Sequence, residues 1–270
     1  MSILMENMRE KIKFSKRIVI KVGTSTLTYS NGNLNFHLMN RLAWVLADLK
    51  NQGKDVILVT SGAIGVGSKK LNFKTRPTEI REKQAAAAVG QAELMHIYQN
   101  FLGEYNQGVA QVLLTKDDFK EGERKTNTTN TLETLLSFGV IPIVNANDTI
   151  STFEIEFSDN DRLSASVASL LKSDLLIILT DIDALYDSNP KTHPEAKRIS
   201  YVEKVTDNIL KMGGEKGSEF SVGGMETKLL AARECYDGGV MMAIIDGSNP
   251  LYIEDLIQGK DIGTIFGCCK

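Results

Sequence analysis

The sequence RIVIKV at residues 17–22 is followed by a helical pattern at 36–51 and by DVILV at 55–59. The two short runs are rich in β-branched residues and apolar at nearly every position. This is typical of parallel strands that are covered on both faces of a sheet. The longer segment between them has the length and pattern of a helix that crosses back over the sheet. These residues therefore predict a βαβ unit.

The same alternation continues along nearly the whole chain. Short apolar runs predict further strands at 109–114, 140–144, 175–179, 240–245 and 263–266. Helices are predicted at 79–105, 127–137, 203–212 and 225–236, and from Ser158 onward in SDNDRLSASVASLLK. ISTFEIEF at 150–157 alternates polar and apolar residues, which favours a hairpin or an edge strand. The pattern predicts an α/β fold, a three-layer αβα sandwich with a central, mainly parallel sheet.

The composition excludes several classes of protein. With 270 residues, 42% of them hydrophobic and 24% charged, the chain has a globular balance and enough length to bury a core. Its 31 basic and 34 acidic residues give a net charge of −3, which supplies no bulk attraction to nucleic acid or anionic membranes. Cys235, Cys268 and Cys269 have no metal-ligand or disulfide spacing, and no apolar run approaches the roughly 20 residues that cross a bilayer. We expect a cytoplasmic protein with neither a nucleic-acid nor a membrane partner.

The first two strand ends carry loops that suit anions, and strand ends are where ligands gather in such a fold. Lys21 closes the first strand and Gly23 begins the turn, so the backbone can approach a phosphate while the lysine adds positive charge. TSGAIGVG at 60–67 leads from the second strand into a helix, whose first N–H groups can bind carboxylate or phosphate. Either loop alone also fits an ordinary turn or glycines that serve packing.

Polar side chains crowd a third position. NAND at 145–148 follows one predicted strand, and SDND at 158–161 opens the next predicted helix. Each of these residues alone suits a cap or a turn, but capping needs only one or two of them. As a set they indicate a polar pocket.

A fourth position combines Thr180 and Asp181, which follow the strand 175–179, with GGMETK at 223–228, which begins a helix. A glycine-rich helix start followed by a lysine favours a polyphosphate. Together with Lys21 and the loop at Ser61 it suggests two anionic groups that are held apart and bridged by lysines, an arrangement that suits phosphoryl transfer. All three histidines lie outside the four positions. A carboxylate acceptor fits this, because it is an ionised nucleophile at pH 7 and needs no base.

Seven motifs occur in order between residues 17 and 266: VIKVGTS, VTSGAIGVG, KQAAAAVGQ, PIVNANDTI, FSDNDRLSA, ILTDIDALY and VGGMETK. In these motifs the chain resembles the amino acid kinase family, and within it the branch that phosphorylates the γ-carboxylate of L-glutamate in the first step of proline biosynthesis. The resemblance implies ATP and L-glutamate as substrates, and Mg²⁺ bound mainly through the ATP phosphates with no metal site of the protein's own. It also implies a homo-oligomer, a dimer or a tetramer, and a link to glutamyl phosphate reductase.

The resemblance implies a role for each residue that matches a family motif. As catalytic residues, Lys21 and Lys228 flank the transferring phosphoryl group and Asp161 holds them in place. The acceptor is bound by Ser61, Gly62, Asp148 and Asn160, with the Asp148 carboxylate suited to the free ammonium group. The nucleotide site is lined by Lys21, Gly23, Thr180, Asp181, Val222, Gly223, Gly224, Met225, Glu226, Thr227 and Lys228. Many members have Thr in place of Val222, so a hydroxyl is missing from this part of the site.

The resemblance also predicts the domain organisation. Residues 1–270 form a single amino acid kinase domain, in which about 17–150 are mainly the substrate lobe and about 170–266 mainly the nucleotide lobe. A C-terminal PUA domain, which many relatives carry, is not expected, because the chain stops soon after GTIFG at 263–267.

Several alternative functions share this fold. N-acetylglutamate kinase, aspartokinase, carbamate kinase and UMP kinase differ in the acceptor. An acetylated acceptor has no ammonium group for the acidic segments around Asp148 and Asp161, and UMP calls for basic residues, of which those segments contain Arg162 alone. A non-catalytic sensor of amino acids or nucleotides would not need both Lys21 and Lys228.

Overall fold

The computed structural model describes residues 3–151, 160–190, 192–213 and 224–268. The chain divides into two compact units, Val22–Asn160 and Met1–Lys21 with Asp161–Lys270. The strands are Arg17–Val22 (β1), Asp55–Val59 (β2), Val109–Leu114 (β3), Ile141–Ala146 (β4), Leu175–Thr180 (β5), Leu185–Tyr186 (β6), Arg198–Ile199 (β7), Tyr201–Val202 (β8), Met241–Asp246 (β9) and Thr264–Phe266 (β10). The α-helices are Ile3–Lys13 (α1), Thr24–Leu27 (α2), Phe36–Asn51 (α3), Ala63–Lys70 (α4), Ile80–Glu104 (α5), Glu123–Ser137 (α6), Asn160–Leu170 (α7), Asp207–Gly213 (α8), Met225–Asp237 (α9) and Tyr252–Ile257 (α10).

The unit Val22–Asn160 contains parallel strands in the order β3-β4-β2. Val109 of β3 pairs with Ile141 of β4, and Leu58 of β2 pairs with Ile143 on the other side of β4. Every residue of β4 is buried, as expected for an inner strand that is covered on both faces. Because these strands are parallel, the turns that leave β2 and β4 lie at the same edge of this sheet.

Helices α4 and α5 of this unit pack closely through two glycines. A Cβ on Gly67 would lie 1.8 Å from the carbonyl oxygen of Ala86, and a Cβ on Gly90 would lie 1.8 Å from that of Ala63. Only glycine permits backbones to approach so closely, because it has no side chain to separate them. The contact holds the start of α4 directly against α5.

The other unit contains strands in the order β1-β5-β9-β10-β8. Strand β5 is buried at every residue and pairs in parallel with β9, with Leu175 opposite Met241. Strand β10 is antiparallel to β9, with Ile265 opposite Ala243, and parallel to β8. A separate antiparallel pair is formed by β6 and β7.

Most of the predicted elements are confirmed, and β1, β2, β3 and α3 have the predicted bounds. The helix predicted at 203–212 is wrong at its start, because residues 203–206 form bends and irregular structure after β8 and the helix begins at Asp207. The sequence pattern does not predict α1, which mixes charges with apolar residues, or α10, which is too short for a periodic pattern. The hairpin or edge strand predicted at 150–157 falls, from residue 152 on, outside the described residues.

Candidate active site

Asp161 lies at the centre of a buried ion cluster. Its Oδ1 lies 2.7 Å from Lys21 Nζ, and its Oδ2 lies 3.1 Å from Lys228 Nζ. The hydroxyl oxygen of Thr227 lies 2.9 Å from the same Oδ2 and 2.9 Å from the carbonyl oxygen of Gly224. The Asp161 side chain is only 2% exposed, and those of Lys21 and Lys228 are 10% and 7% exposed. Two ammonium groups and one carboxylate thus share a site that is nearly closed to water.

Three element ends supply the charged side chains of this cluster. Lys21 is the fifth residue of β1, Asp161 is the second residue of α7 and Lys228 is the fourth residue of α9. A carboxylate in the first turn of a helix interacts favourably with the positive end of the helix dipole. Gly224 caps α9 in an extended conformation, and its carbonyl oxygen faces the Thr227 hydroxyl. The local sequence thus sets the position of each side chain within its strand or helix. The packing of these elements brings the three side chains together.

The cluster keeps Asp161 ionised. Burial by itself would raise the pKa of this carboxyl, but the charges of Lys21 and Lys228 and the hydrogen bond from Thr227 outweigh burial and lower the pKa to about 2. At neutral pH the three charged side chains together carry one excess positive charge. Such a group, fixed by ion pairs at the edge of the protein interior, favours an anionic ligand.

Asn160 is the central residue of a second polar cluster, which lies within the unit Val22–Asn160. Its Nδ2 lies 2.8 Å from Ser61 Oγ, 2.9 Å from the carbonyl oxygen of Thr60 and 3.0 Å from Asn145 Oδ1. Thr60 and Ser61 follow β2, and Asn145 is the fifth residue of β4. This second cluster is built from hydroxyl, amide and backbone groups and carries no charge.

Gly62 and Asp148 lie in the turns next to this cluster in the chain. Gly62 adopts φ +101°, a left-handed conformation that favours glycine, and it forms the N-cap of α4. The first N–H groups of a helix have no partner within the helix and suit a carboxylate or phosphate. Asp148 is half-buried in the turn after β4. Its role stays a prediction.

The structure also places most of the residues predicted for the nucleotide site. Thr180 ends β5, and its hydroxyl donates to Oδ1 of the next residue, Asp181, over 3.1 Å. The remaining described members begin α2 or α9: Gly23, Gly224, Met225, Glu226 and Thr227. Val222 and Gly223 lie outside the described residues.

The amide cluster consists of Asn160, Ser61, Thr60 and Asn145. Two buried side chains of α5 bond to it and were not predicted from the sequence. Gln91 accepts a hydrogen bond from Asn145 Nδ2 over 2.9 Å, and the hydroxyl of Tyr98 lies 2.9 Å from the hydroxyl of Thr60. Burial raises the pKa of Tyr98, and the Thr60 bond opposes this only in part. Gln91 and Tyr98 are two helical turns apart and therefore share a face of α5. That spacing is the sequence feature from which they could have been found.

Within the described ranges, no three His, Cys, Asp or Glu side chains are grouped so that they could hold a metal ion. In the same part of the chain, no helix is both long and apolar enough to cross a membrane.

A sequence profile of the amino acid kinase family matches residues 16–246. The chain belongs to this family. Among its relatives, the glutamate 5-kinase of Listeria monocytogenes is 54% identical over 267 residues, which cover 97% of each protein. The glutamate 5-kinase of Clostridium perfringens is 51% identical over 263 residues, 96% of this chain and 98% of that protein. That of Enterococcus faecalis is 49% identical, again over 96% of this chain and 97% of that protein.

Solved structures of other kinases share the fold of this amino acid kinase. UMP kinase from Bacillus anthracis superposes with a TM-score of 0.62 at 16% identity, covering 95% of this chain and 97% of its own. The isopentenyl phosphate kinase of T. acidophilum gives a TM-score of 0.63 at 18% identity, covering 93% of this chain and 99% of its own. At such identities the likeness concerns the fold alone. It confirms the predicted α/β class with a central, mainly parallel sheet.

Proposed function

We propose that this amino acid kinase transfers the γ-phosphoryl group of ATP to the γ-carboxylate of L-glutamate, the first step of proline biosynthesis. The observation that carries the proposal is the buried cluster of Lys21, Asp161 and Lys228, whose two ammonium groups face one carboxylate within 3.1 Å. Identities of 49–54% to glutamate 5-kinases, over nearly the full length of both proteins, support glutamate as the acceptor.

In this proposal the lysines act on charge that develops during transfer. The glutamate carboxylate attacks the γ-phosphorus, the bond to the β-phosphate oxygen breaks, and ADP leaves. Negative charge moves onto the bridging oxygen while the transferring group stays anionic, so ammonium groups fixed nearby lower the barrier. Asp161 is a positioning residue, because it holds Lys21 and Lys228 in one geometry before the substrates bind. No general base is needed, since the acceptor is already ionised at pH 7.

We assign the acceptor site to Ser61, Gly62, Asp148 and Asn160. The Asn160–Ser61 hydrogen bond of 2.8 Å holds two polar side chains next to the left-handed turn at Gly62. This turn leads into the start of α4, which suits a substrate carboxylate. The Asp148 carboxylate is the group suited to the ammonium of glutamate. These four roles rest on residue chemistry and on the Asn160 contacts.

The nucleotide site is assigned to both lysines together with Gly23, Thr180, Asp181 and the segment 222–228. Both carboxylate oxygens of Asp161 already have a lysine partner, so this residue does not suit a metal. We therefore propose that Mg²⁺ enters on the ATP phosphates, whose charge it shields.

The acceptor is tested by incubating the protein with ATP, Mg²⁺ and hydroxylamine, which traps an acyl phosphate as a hydroxamate. We expect hydroxamate with L-glutamate, and little or none with N-acetylglutamate or aspartate. Absence of product with glutamate, from a protein with a cooperative melting transition, would overturn the assignment. Because an acyl phosphate hydrolyses readily, we also propose a link to glutamyl phosphate reductase.

We further propose that the protein forms a homo-oligomer, a dimer or a tetramer, which light scattering can check. The cytoplasmic location stays a prediction.

A further inference from the structure

A chain of four amides runs through the unit Val22–Asn160. Asn160 Nδ2 donates to Asn145 Oδ1 over 3.0 Å, and Asn145 Nδ2 donates to Gln91 Oε1 over 2.9 Å. Gln91 Nε2 then donates to Gln111 Oε1 over 3.2 Å. This series of hydrogen bonds connects Asn160 to Gln111, an exposed residue of β3, with the same donor-to-acceptor direction at every step.

Burial keeps the two inner amides, Asn145 and Gln91, in this donor-to-acceptor order. Asn145 is 1% exposed and Gln91 is 6% exposed. Water therefore cannot replace a lost hydrogen-bond partner of either amide, and the loss would leave a buried polar group unsatisfied. The backbone N–H of Ala146 also donates to Asn145 Oδ1 over 2.9 Å, which identifies this atom as an acceptor. Gln91 Oε1 completes the assignment, because it accepts from Asn145 Nδ2.

The orientation of Asn145 decides how Asn160 presents its own amide. With Asn145 Oδ1 as its acceptor, Asn160 directs Nδ2 towards the protein. The same Nδ2 also approaches Thr60 and Ser61. In the part of the chain that the structure describes, no donor is paired with Asn160 Oδ1. This carbonyl oxygen is therefore the atom that can accept a hydrogen bond from a ligand donor such as an ammonium group.

We propose that Gln91 is a positioning residue of the acceptor site: through Asn145 it fixes the amide of Asn160 with its carbonyl oxygen towards the α-ammonium group of the acceptor amino acid. The proposal rests on the proposed function, because it takes Asn160 as an acceptor-binding residue. If Gln91 loses its amide, Asn145 Nδ2 has no acceptor, and only the backbone N–H of Ala146 still opposes rotation of the Asn145 amide. A rotated Asn145 presents a donor to Asn160 Nδ2, and two donors facing each other turn Asn160 out of its binding orientation.

Two variants of Gln91 separate positioning from packing. Gln91→Met keeps the length of the side chain and removes its hydrogen bonds. Gln91→Glu keeps an oxygen that accepts from Asn145, and the exposed Gln111 can rotate to donate to the other oxygen. Gln99→Met, an exposed amide on the same helix, is the matched control. Steady-state kinetics for both substrates and thermal melting are measured for all four proteins.

We expect Gln91→Met to raise KM for glutamate at least 10-fold while kcat and KM for ATP change less than about 3-fold. Gln91→Glu should recover most of the glutamate affinity, and Gln99→Met should behave as wild type. Parallel changes in both KM values, or a Gln91→Glu variant as impaired as Gln91→Met, would overturn the positioning role. So would a wild-type KM in Gln91→Met. Inactivity of the wild-type protein towards glutamate would instead overturn the proposed function, so the two failures are distinguishable.

Discussion

The two polar clusters of this kinase solve different problems with different chemistry. The cluster around Asp161 is ionic, with three charged side chains at most 10% exposed, whereas the cluster around Asn160 is built from neutral amides and hydroxyls. Asn160 and Asp161 are consecutive in the sequence, and each is the central residue of one cluster. Charge suits a phosphoryl group that must be neutralised, and directional hydrogen bonds suit an amino acid that must be oriented.

Removing the central carboxylate should break the ionic cluster with the largest effect. Asp161→Asn leaves the buried ammonium groups of Lys21 and Lys228 without their shared counterion. We expect a loss of about 3–5 kcal/mol in the free energy of unfolding, together with a large fall in kcat. Urea denaturation and initial rates measure the two effects.

The matched control is Asp117→Asn, which removes an exposed carboxylate paired with Lys120 and should lower the free energy of unfolding far less than Asp161→Asn does. Equal losses in the two variants would show that burial does not distinguish these ion pairs.

Removing one ammonium group should lower kcat and leave KM for glutamate nearly unchanged, which distinguishes the roles of the two clusters. We expect Lys228→Ala to lower kcat by about 10²–10³-fold, because this lysine acts on charge in the transition state. KM for glutamate should change less than about 3-fold, because the amide cluster stays intact. The exposed Lys120→Ala variant serves as control, and a rise in KM for glutamate alone would assign Lys228 to the acceptor instead.

Acid should weaken the ionic cluster and leave the amides unaffected. The pKa of Asp161 is lowered to about 2 in the folded protein, so the ionised group stabilises the fold above its unfolded pKa of about 3.9. This stabilisation, about 2–3 kcal/mol, is lost progressively as the pH falls from about 5 to about 1. The difference in unfolding free energy between wild type and Asp161→Asn should narrow over the same range. A constant difference would mean that Asp161 is not the titrating group.

The smallest effect is expected behind the amide cluster. Tyr98→Phe removes the hydroxyl that contacts Thr60 over 2.9 Å and should cost about 1 kcal/mol of stability. KM for glutamate should rise 2–5-fold, with KM for ATP unchanged, because Thr60 loses one of the groups that hold its turn. Tyr105→Phe, which removes a half-buried bond to Asn40, is the matched control and should leave both KM values unchanged.

The fold was largely predictable, because each strand carries its own evidence. RIVIKV and DVILV are apolar on both faces, and strands β1 and β2 begin and end where those runs do. The sequence pattern does not predict strand β8 at Tyr201–Val202, which forms through its pairing with β10. Pairing between segments that are distant in sequence overrides local propensity, and no local pattern reports it.

For the site, the residue types are evident without any three-dimensional information. Lysines at strand and helix ends, glycines at turns and a crowd of amides and carboxylates indicated phosphoryl transfer before any contact was known. The contacts between these residues emerge only from the fold: Lys21 and Lys228 pair with the same carboxylate, and Gln91 and Tyr98 bond to Asn145 and Thr60. The physical reason is that residue chemistry is local, whereas a distance of 3 Å between distant residues depends on how whole elements pack.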